Sequence, residues 1–185
     1  MPSTVYKSKA IVALVGLWFL FLTSGGVFSA EQAMTWPPGW EIRDTSVPGD
    51  SSDEGPSKLN RIAVKLNQQG SALAVIGLTG LTREPNEGSP IDTLAVSILR
   101  AMESEYRAKG FKVSCGQSTT TTLGTLPALQ SLCEIHRGDV LTVKRLMAIA
   151  VRGQSLLVLN YAAPPASFDV YFADYITMRN GLRLE

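Results

Sequence analysis

The chain has 185 residues, 45% of them hydrophobic, and its 17 Lys and Arg nearly balance its 16 Asp and Glu. This balance excludes the strongly basic surface with which proteins bind nucleic acid or anionic lipid. The two cysteines and the single histidine supply too few ligands for a typical structural metal site.

Residues 1–30 have the pattern of a secretory signal peptide. Lys7 and Lys9 precede an uncharged apolar run, residues 10–22, which is shorter than the roughly 20 residues that a membrane-spanning helix needs. Small residues follow, and Ser29 and Ala30 are suitable cleavage positions. We therefore expect a precursor that is exported to the periplasm, cleaved after residue 29 or 30, and left without a stable membrane anchor.

Cleavage after residue 30 would remove two lysines and no acidic residue, leaving a net charge near minus one. The remaining length, about 155 residues, suits one domain with a single hydrophobic core. We expect residues 31–57 to form an N-terminal arm, a first strand and a loop. Residues 58–185 are then the remainder of the same α+β domain.

Two tryptophans flank a Pro-Pro-Gly turn near the start of this domain. Trp36 precedes the turn, Trp40 follows it, and residues 40–42 are predicted to continue as a short strand. Exposed tryptophan often marks a protein interface, so Trp36 and Trp40 are candidate interface residues. Packing of both rings within the domain is the competing interpretation, and the one that we favour.

Residues 61–67 alternate between polar and apolar side chains, which indicates a half-buried strand with Ile62, Val64 and Leu66 on one face. Residues 67–70, Asn-Gln-Gln-Gly, have the composition of a turn, and residues 71–79 form a more apolar strand. We expect the two strands to pair as a β-hairpin.

A helix is predicted from Pro90 to about residue 109. Ser89 has the chemistry of an N-cap, Pro90 suits the first helical position, and Gly110 suits the left-handed residue that ends a helix. The apolar stripe has spacings of three and four residues, as expected of a helix that packs on one face. It consists of Ile91, Leu94, Ala95, Ile98 and Met102.

Strand-rich sequence follows over residues 111–117, 128–137, 142–151 and 155–162. Turns at residues 138–139 and 153–154 are short, which predicts an antiparallel meander. Four threonines at residues 119–122 interrupt the series. Because threonine is a good strand residue, we expect this stretch to be an exposed strand or a hairpin tip.

Cys115 and Cys133 lie in this meander, and each falls on the apolar face of its strand. An even pair of cysteines in an exported protein is more often bonded than free, so we predict a Cys115–Cys133 disulfide. The competing interpretations are a reactive thiol and a metal site that includes His136. We expect His136 to be an ordinary surface residue near the end of a strand.

Pro164 and Pro165 end the last strand, and Ser167 is expected to cap a closing helix that ends near residue 181. The apolar stripe of that helix is expected to pack in the core and comprises Phe168, Tyr171, Phe172, Tyr175 and Ile176. Together the elements predict an α+β domain in which helices pack on an antiparallel sheet of about six to seven strands.

The order of these elements, with four short motifs, resembles the PsbP-like α/β/α sandwich family. The matching stretches are Pro38-Gly39-Trp40, residues 106–111, residues 124–128 and the tail at residues 161–182. Within that superfamily the chain is similar to small uncharacterised secreted proteins of Gram-negative bacteria, described as a domain of unknown function. The resemblance covers nearly the whole mature chain and implies binding rather than chemistry, because members of the wider family are mostly non-catalytic.

We therefore expect a non-enzymatic periplasmic protein that binds another envelope or secreted protein, in envelope maintenance or secretion. The sequence assigns no catalytic, cofactor-binding or metal-binding residue and no nucleic-acid partner. Two alternatives stay open: a carrier of a small ligand or lipid with a pocket between sheet and helices, and a hydrolase built around His136. The oligomeric state is also left open.

Overall fold

The computed structural model describes residues 35–44, 60–82 and 89–183. Within these residues the chain forms eight strands: β1 Glu41–Asp44, β2 Asn60–Leu66, β3 Ala72–Thr82, β4 Lys112–Cys115, β5 Thr119–Leu123, β6 Leu126–Arg137, β7 Val140–Arg152 and β8 Ser155–Ala163. They join one antiparallel sheet in the order β1-β2-β3-β8-β7-β6-β4, and β5 also pairs with β6. The predicted signal peptide, residues 1–30, lies outside the described residues.

Helices cover both faces of this sheet. The described residues form α1 Ile91–Ala108, α2 Pro165–Phe168 and α3 Phe172–Gly181. Because side chains alternate along a strand, Leu156 and Val158 of β8 pack toward α1, whereas Leu157, Leu159 and Tyr161 pack toward α2 and α3. The predicted α+β sandwich is confirmed. None of these helices is long and apolar enough to span a membrane.

Helix α1 begins one residue later than predicted. Its N-cap is Pro90, where the backbone is still extended with a ψ of 151°, and the N-cap makes no side-chain hydrogen bond. Ser89 therefore lies one residue before the N-cap, and its predicted capping role is wrong. Asp92 in the first turn does complement the helix dipole, as an acidic side chain at that position should.

The end of α1 confirms the predicted role of Gly110. This residue has a φ of 81°, and its N–H donates to the carbonyl of Arg107. The N–H of Phe111 donates to the carbonyl of Tyr106, which completes a Schellman motif. The two aromatic rings meet edge to face with centroids 6.0 Å apart and supply the apolar contact that accompanies this motif.

Strand β2 is buried on both faces, whereas the sequence predicted a half-buried strand. Ile62 and Val64 lie on one face and Ala63 on the other, and all three are at most 3% exposed. The reason is position: β2 lies inside the sheet between β1 and β3, and Ala63 packs in the cluster beneath α2 and α3. The predicted alternation rested on Ile62, Val64 and Leu66 and did not count Ala63, because alanine occurs at both buried and exposed positions.

The closing helix is broken into α2 and α3, so the predicted cap at Ser167 is wrong. Ser167 lies inside α2, and α3 starts after Tyr171 without a side-chain cap. The buried hydroxyl of Tyr161 donates to the carbonyl of Phe168 at 2.6 Å. In a continuous helix that carbonyl would accept from the N–H of Phe172. A side chain of β8 thus takes the acceptor at the point where the helix stops.

Candidate functional site

The two edges of the sheet differ in length and charge. At one edge, β1 has four residues, and the side chains of Glu41 and Arg43 form an exposed ion pair at 3.0 Å. At the other edge, β4 and β5 pair in turn with the 12-residue strand β6. Residues 112–123, called the β4–β5 edge below, contain Lys112 as their single charged residue and no proline. Proteins usually protect long edges with charge, proline or a covering element. Within the described residues no further strand pairs with the β4–β5 edge, so it is open to strand pairing.

A β-bulge joins β4 to β5. The pairing of β4 with β6 extends to Gly116, whose N–H donates to the carbonyl of Leu132 at 2.9 Å. The pairing of β5 with β6 then begins with Thr119 opposite Gln130, two residues before Leu132 on β6. Two residues, 117 and 118, therefore lie opposite the single residue Ser131, which defines a bulge. The hydroxyls of Ser118 and Ser131 hydrogen-bond at 2.7 Å. β4 and β5 are thus two halves of one bent edge strand.

Thr120 and Thr122 direct their backbone polar groups out of the sheet. A two-residue turn joins β5 to β6, with Gly124 at its first position and a φ of 58°. From such a turn, hydrogen-bonded pairs alternate with non-hydrogen-bonded pairs, beginning with the pair that flanks it. Leu123 therefore bonds to β6, and Thr120 and Thr122 do not. Their N–H and C=O groups face outward, where an added strand would bind.

The Cys115–Cys133 disulfide holds the first half of this edge. The two residues are directly opposite in the register of β4 with β6, with Cα atoms 4.0 Å apart and an S–S distance of 2.05 Å. Cys133 is fully buried in the cluster beneath α1, whereas Cys115 is exposed because it lies on the outermost strand. The bond therefore links the apolar core to the edge, immediately before the bulge.

An arginine of α3 lies above the second half of the edge. Thr119 pairs with Gln130, whose Oε1 accepts from Arg179 Nη1 at 3.0 Å and from the Tyr175 hydroxyl at 3.3 Å. The remaining bonds of the guanidinium go to the side-chain oxygen of Asn180, at 3.2 and 3.3 Å. All acceptors of Arg179 within the described residues are uncharged amides.

A half-exposed leucine lies on the same face, two residues further along β6. Leu132 is 38% exposed, although Leu146, which pairs with it on β7, is buried. Its neighbour on the edge strand is Gly116, which has no side chain to cover it. The α3 side of the β4–β5 edge therefore presents a cation and an apolar side chain in sequence.

Burial raises the pKa of two tyrosines between the sheet and α3. For Tyr161, the carboxylates of Asp169 and Asp174 raise the pKa further, and for Tyr175 the guanidinium of Arg179 offsets part of the effect. Both pKa values lie well above the ordinary value of about 10. Both hydroxyls therefore stay protonated and act as hydrogen-bond donors, Tyr161 to Phe168 and Tyr175 to Gln130.

The two candidate interface tryptophans pack within the domain. Trp40 is 7% exposed, donates from Nε1 to the Asp174 carboxylate at 2.8 Å, and meets the ring of Tyr171 edge-on at 6.1 Å. Trp36 is partly buried against the same apolar cluster. Trp40 therefore has almost no surface to offer a partner, and it fastens the N-terminal arm to α3.

Two further polar residues, His136 and Asn160, lie on β6 and β8. His136 is half-buried near the end of β6, opposite Lys112. Asn160 is 4% exposed, and its side-chain oxygen accepts two hydrogen bonds from Arg145, at 2.9 and 3.1 Å. Among the described residues, no three His, Cys, Asp or Glu side chains are grouped so that they would hold a metal ion.

Comparisons with known proteins identify a family and a fold. The sequence model of a family described as a domain of unknown function, DUF4946, matches residues 31–184. The chain is similar to the solution structure of cyanobacterial PsbP (CyanoP) from Synechocystis sp. PCC 6803, with a TM-score of 0.59 and 13% identity, over 89% of this chain and 99% of that one. At this identity the likeness shows the fold alone, which is the predicted PsbP-like sandwich. No curated protein matches the chain.

Proposed function

Because this chain belongs to the family described as a domain of unknown function (DUF4946) and has the PsbP-like fold, we propose that it is an exported, non-enzymatic protein that binds another protein, in envelope maintenance or secretion. The mode of binding is strand addition: an extended segment of the partner joins the sheet at the β4–β5 edge. The observation that carries this proposal is the long edge strand whose second half, Thr119–Leu123, has no charge.

Strand addition at this edge would use groups that are already in place. The outward N–H and C=O groups of Thr120 and Thr122 offer hydrogen bonds worth about 1 kcal/mol each. The threonines have the β-branched side chains that favour extended pairing. The opposite edge is less suitable, because an added strand there would have four residues of β1 to pair with and would lie against Glu41 and Arg43.

Two observations support export to the periplasm. Disulfides such as Cys115–Cys133 persist in oxidising compartments and are rare in the cytosol. The family match starts at residue 31, next to the predicted cleavage sites at Ser29 and Ala30. We expect the intact mass of the protein from its own periplasm to correspond to a chain cut after one of these residues and lacking two hydrogens. A mass that retains residues 1–30 would contradict export with cleavage.

The alternative function, a carrier with a pocket between sheet and helices, has less support. The centre of the layer beneath α2 and α3 is filled by rings in mutual contact. Tyr161 lies 4.9 Å from Phe168 and 5.4 Å from Tyr175, measured between ring centroids. A ligand in that layer would have to displace these rings and the hydrogen bond from Tyr161.

The edge is tested with a displayed library of 12-residue peptides selected on the purified protein. We expect selected peptides to bind the wild-type protein and a Thr120→Val variant equally, because valine keeps the shape and the backbone groups. Thr120→Pro removes an outward N–H but no bond to β6, so it should weaken binding at least tenfold while leaving the thermal midpoint nearly unchanged. Isotope-edited NMR should place the peptide beside residues 119–123.

The selection also has outcomes that contradict the proposal. If no peptide is enriched, or if enriched peptides bind Thr120→Pro as tightly as the wild-type protein, strand addition at this edge is wrong. Unfolding of the Thr120→Pro variant would be detected by its thermal midpoint. In that case Thr120→Lys, which guards the edge with charge and keeps the N–H, replaces it as the test variant.

A further inference from the structure

We infer that the partner segment carries an acidic residue and a large apolar residue on one face, the acid facing Arg179 and the apolar side chain facing Leu132. This inference rests on the proposed strand addition and specifies the chemistry of the partner. It follows from three features of the α3 side of the edge: the bonding of Arg179, the exposure of Leu132, and the shared face of β6 on which Leu132 and Gln130 lie.

Arg179 is a cation whose charge is not neutralised within the described residues. Its hydrogen bonds go to the amide oxygens of Gln130 and Asn180, and it has no ion pair with any described carboxylate. A guanidinium pairs most strongly with a carboxylate, which can accept two parallel hydrogen bonds. A strand added outside β5 would place its residue opposite Thr119 on the same face as Gln130, within reach of a long acidic side chain.

Leu132 provides the second contact. The edge residue beside it is Gly116, so a residue added outside Gly116 meets no intervening side chain and can extend over the sheet to the leucine. Burying the Leu132 side chain more fully would add to the free energy of binding, up to the amount usual for burial of an apolar side chain. Leu132 and Gln130 share a face of β6, so the acidic and the apolar partner residue must lie on the same face of the added strand.

The same chemistry argues against a second copy of this chain as the occupant. Residues 112–123 contain no Asp or Glu, so a second copy of the edge would offer Arg179 no carboxylate. The edge therefore favours a different, acidic partner over self-association.

The test uses one peptide from the library selection, synthesised with Glu at the position that faces Arg179 and as its Gln analogue. On the wild-type protein, the Glu peptide should bind about threefold to tenfold more tightly than the Gln peptide, and added salt should shrink this ratio. On Arg179→Gln the ratio should fall to about one. Arg179→Lys should restore part of it, because the charge is kept, and both variants are checked for an unchanged thermal midpoint.

The outcomes separate this inference from the proposed function. If peptides bind in a manner that depends on Thr120 but the Glu and Gln forms bind alike, or if their ratio survives Arg179→Gln, the inference is wrong and strand addition stands. If no peptide depends on Thr120, both are wrong. Sedimentation that reveals a dimer dissolved by Thr120→Pro would overturn the choice of an acidic partner in favour of a second copy.

Discussion

Gly124→Ala is expected to lower the free energy of unfolding by about 3 kcal/mol or more. Gly124 has a φ of 58°, a conformation that costs a residue with a side chain about 1 to 2 kcal/mol. A Cβ atom at this position would also lie 2.2 Å from the backbone oxygen of Leu182, so the turn or the C-terminal segment must move. Leu182 is buried in the core, and exposing it costs about 1.5 to 3 kcal/mol more.

Gly153→Ala is the matched control for this substitution. Gly153 also occupies a hairpin turn, between β7 and β8, with a similar φ of 56°, but no atom lies within 4 Å of the point that an added Cβ would occupy. Its substitution should cost about 1 kcal/mol, the conformational part alone. Urea denaturation measures both variants. Equal losses would mean that the contact between the β5–β6 turn and Leu182 contributes little to stability.

The turn at Gly124 also positions the candidate site. The Gly124 N–H donates to the carbonyl of Arg179 at 2.7 Å, so the β5–β6 turn and the end of α3 are fastened together. This bond holds the backbone of Arg179, whose guanidinium donates to Gln130. If the Gly124→Ala protein still folds, we expect it to lose its preference for an acidic peptide while it keeps binding at the edge.

The elements that the sequence predicted well are those set by local chemistry. Gly110 ends α1 through its own left-handed conformation and the contact between the neighbouring rings of Tyr106 and Phe111. The turn at residues 67–70 forms because the Asn67 side chain accepts from the N–H groups of Gln69 and Ser71. In both cases the interacting residues lie within five positions of each other, so the pattern is visible in the sequence.

The parts that the sequence did not predict depend on contacts between distant residues. The break between α2 and α3 follows from a hydroxyl on β8, and the exposure of Leu132 follows from a glycine on another strand. Arg179 and Gln130 are 49 residues apart, and nothing local marks either as part of a site. The threonine run at residues 119–122 was the visible signal of the edge, and it predicted an exposed strand. It did not predict the bulge, nor the positions of Arg179 and Leu132 beside the edge.

Breaking the Cys115–Cys133 disulfide is expected to lower the free energy of unfolding by about 3 kcal/mol. The bond joins residues 18 apart in sequence, and closing a loop of about this size removes that much chain entropy from the unfolded state. Cys115→Ser is the cleaner variant, because Cys115 is exposed and the remaining Cys133 keeps its place in the apolar cluster. Guanidinium denaturation of the oxidised protein and the variant measures the loss.

Cys133→Ser breaks the same bond and serves as its comparison. Because Cys133 is fully buried beneath α1, the serine hydroxyl should add a further cost of about 1 to 3 kcal/mol. If the two variants lose equal stability, the buried environment of Cys133 contributes nothing beyond the bond. If neither loses stability, the edge is held by strand pairing and by Val113 and Phe111, which pack in the cluster beneath α1.

The disulfide should also matter for the edge, because β4 has only four residues to hold it against β6. In Cys115→Ser, amide hydrogen exchange should quicken over residues 112–118, while β7 and β8 in the middle of the sheet keep their protection. Peptides that contact Leu132 beside Gly116 should then bind less tightly, and peptides confined to residues 119–123 should be unaffected. If amide exchange quickened equally across the whole sheet, the bond would stabilise the whole domain and not the edge in particular.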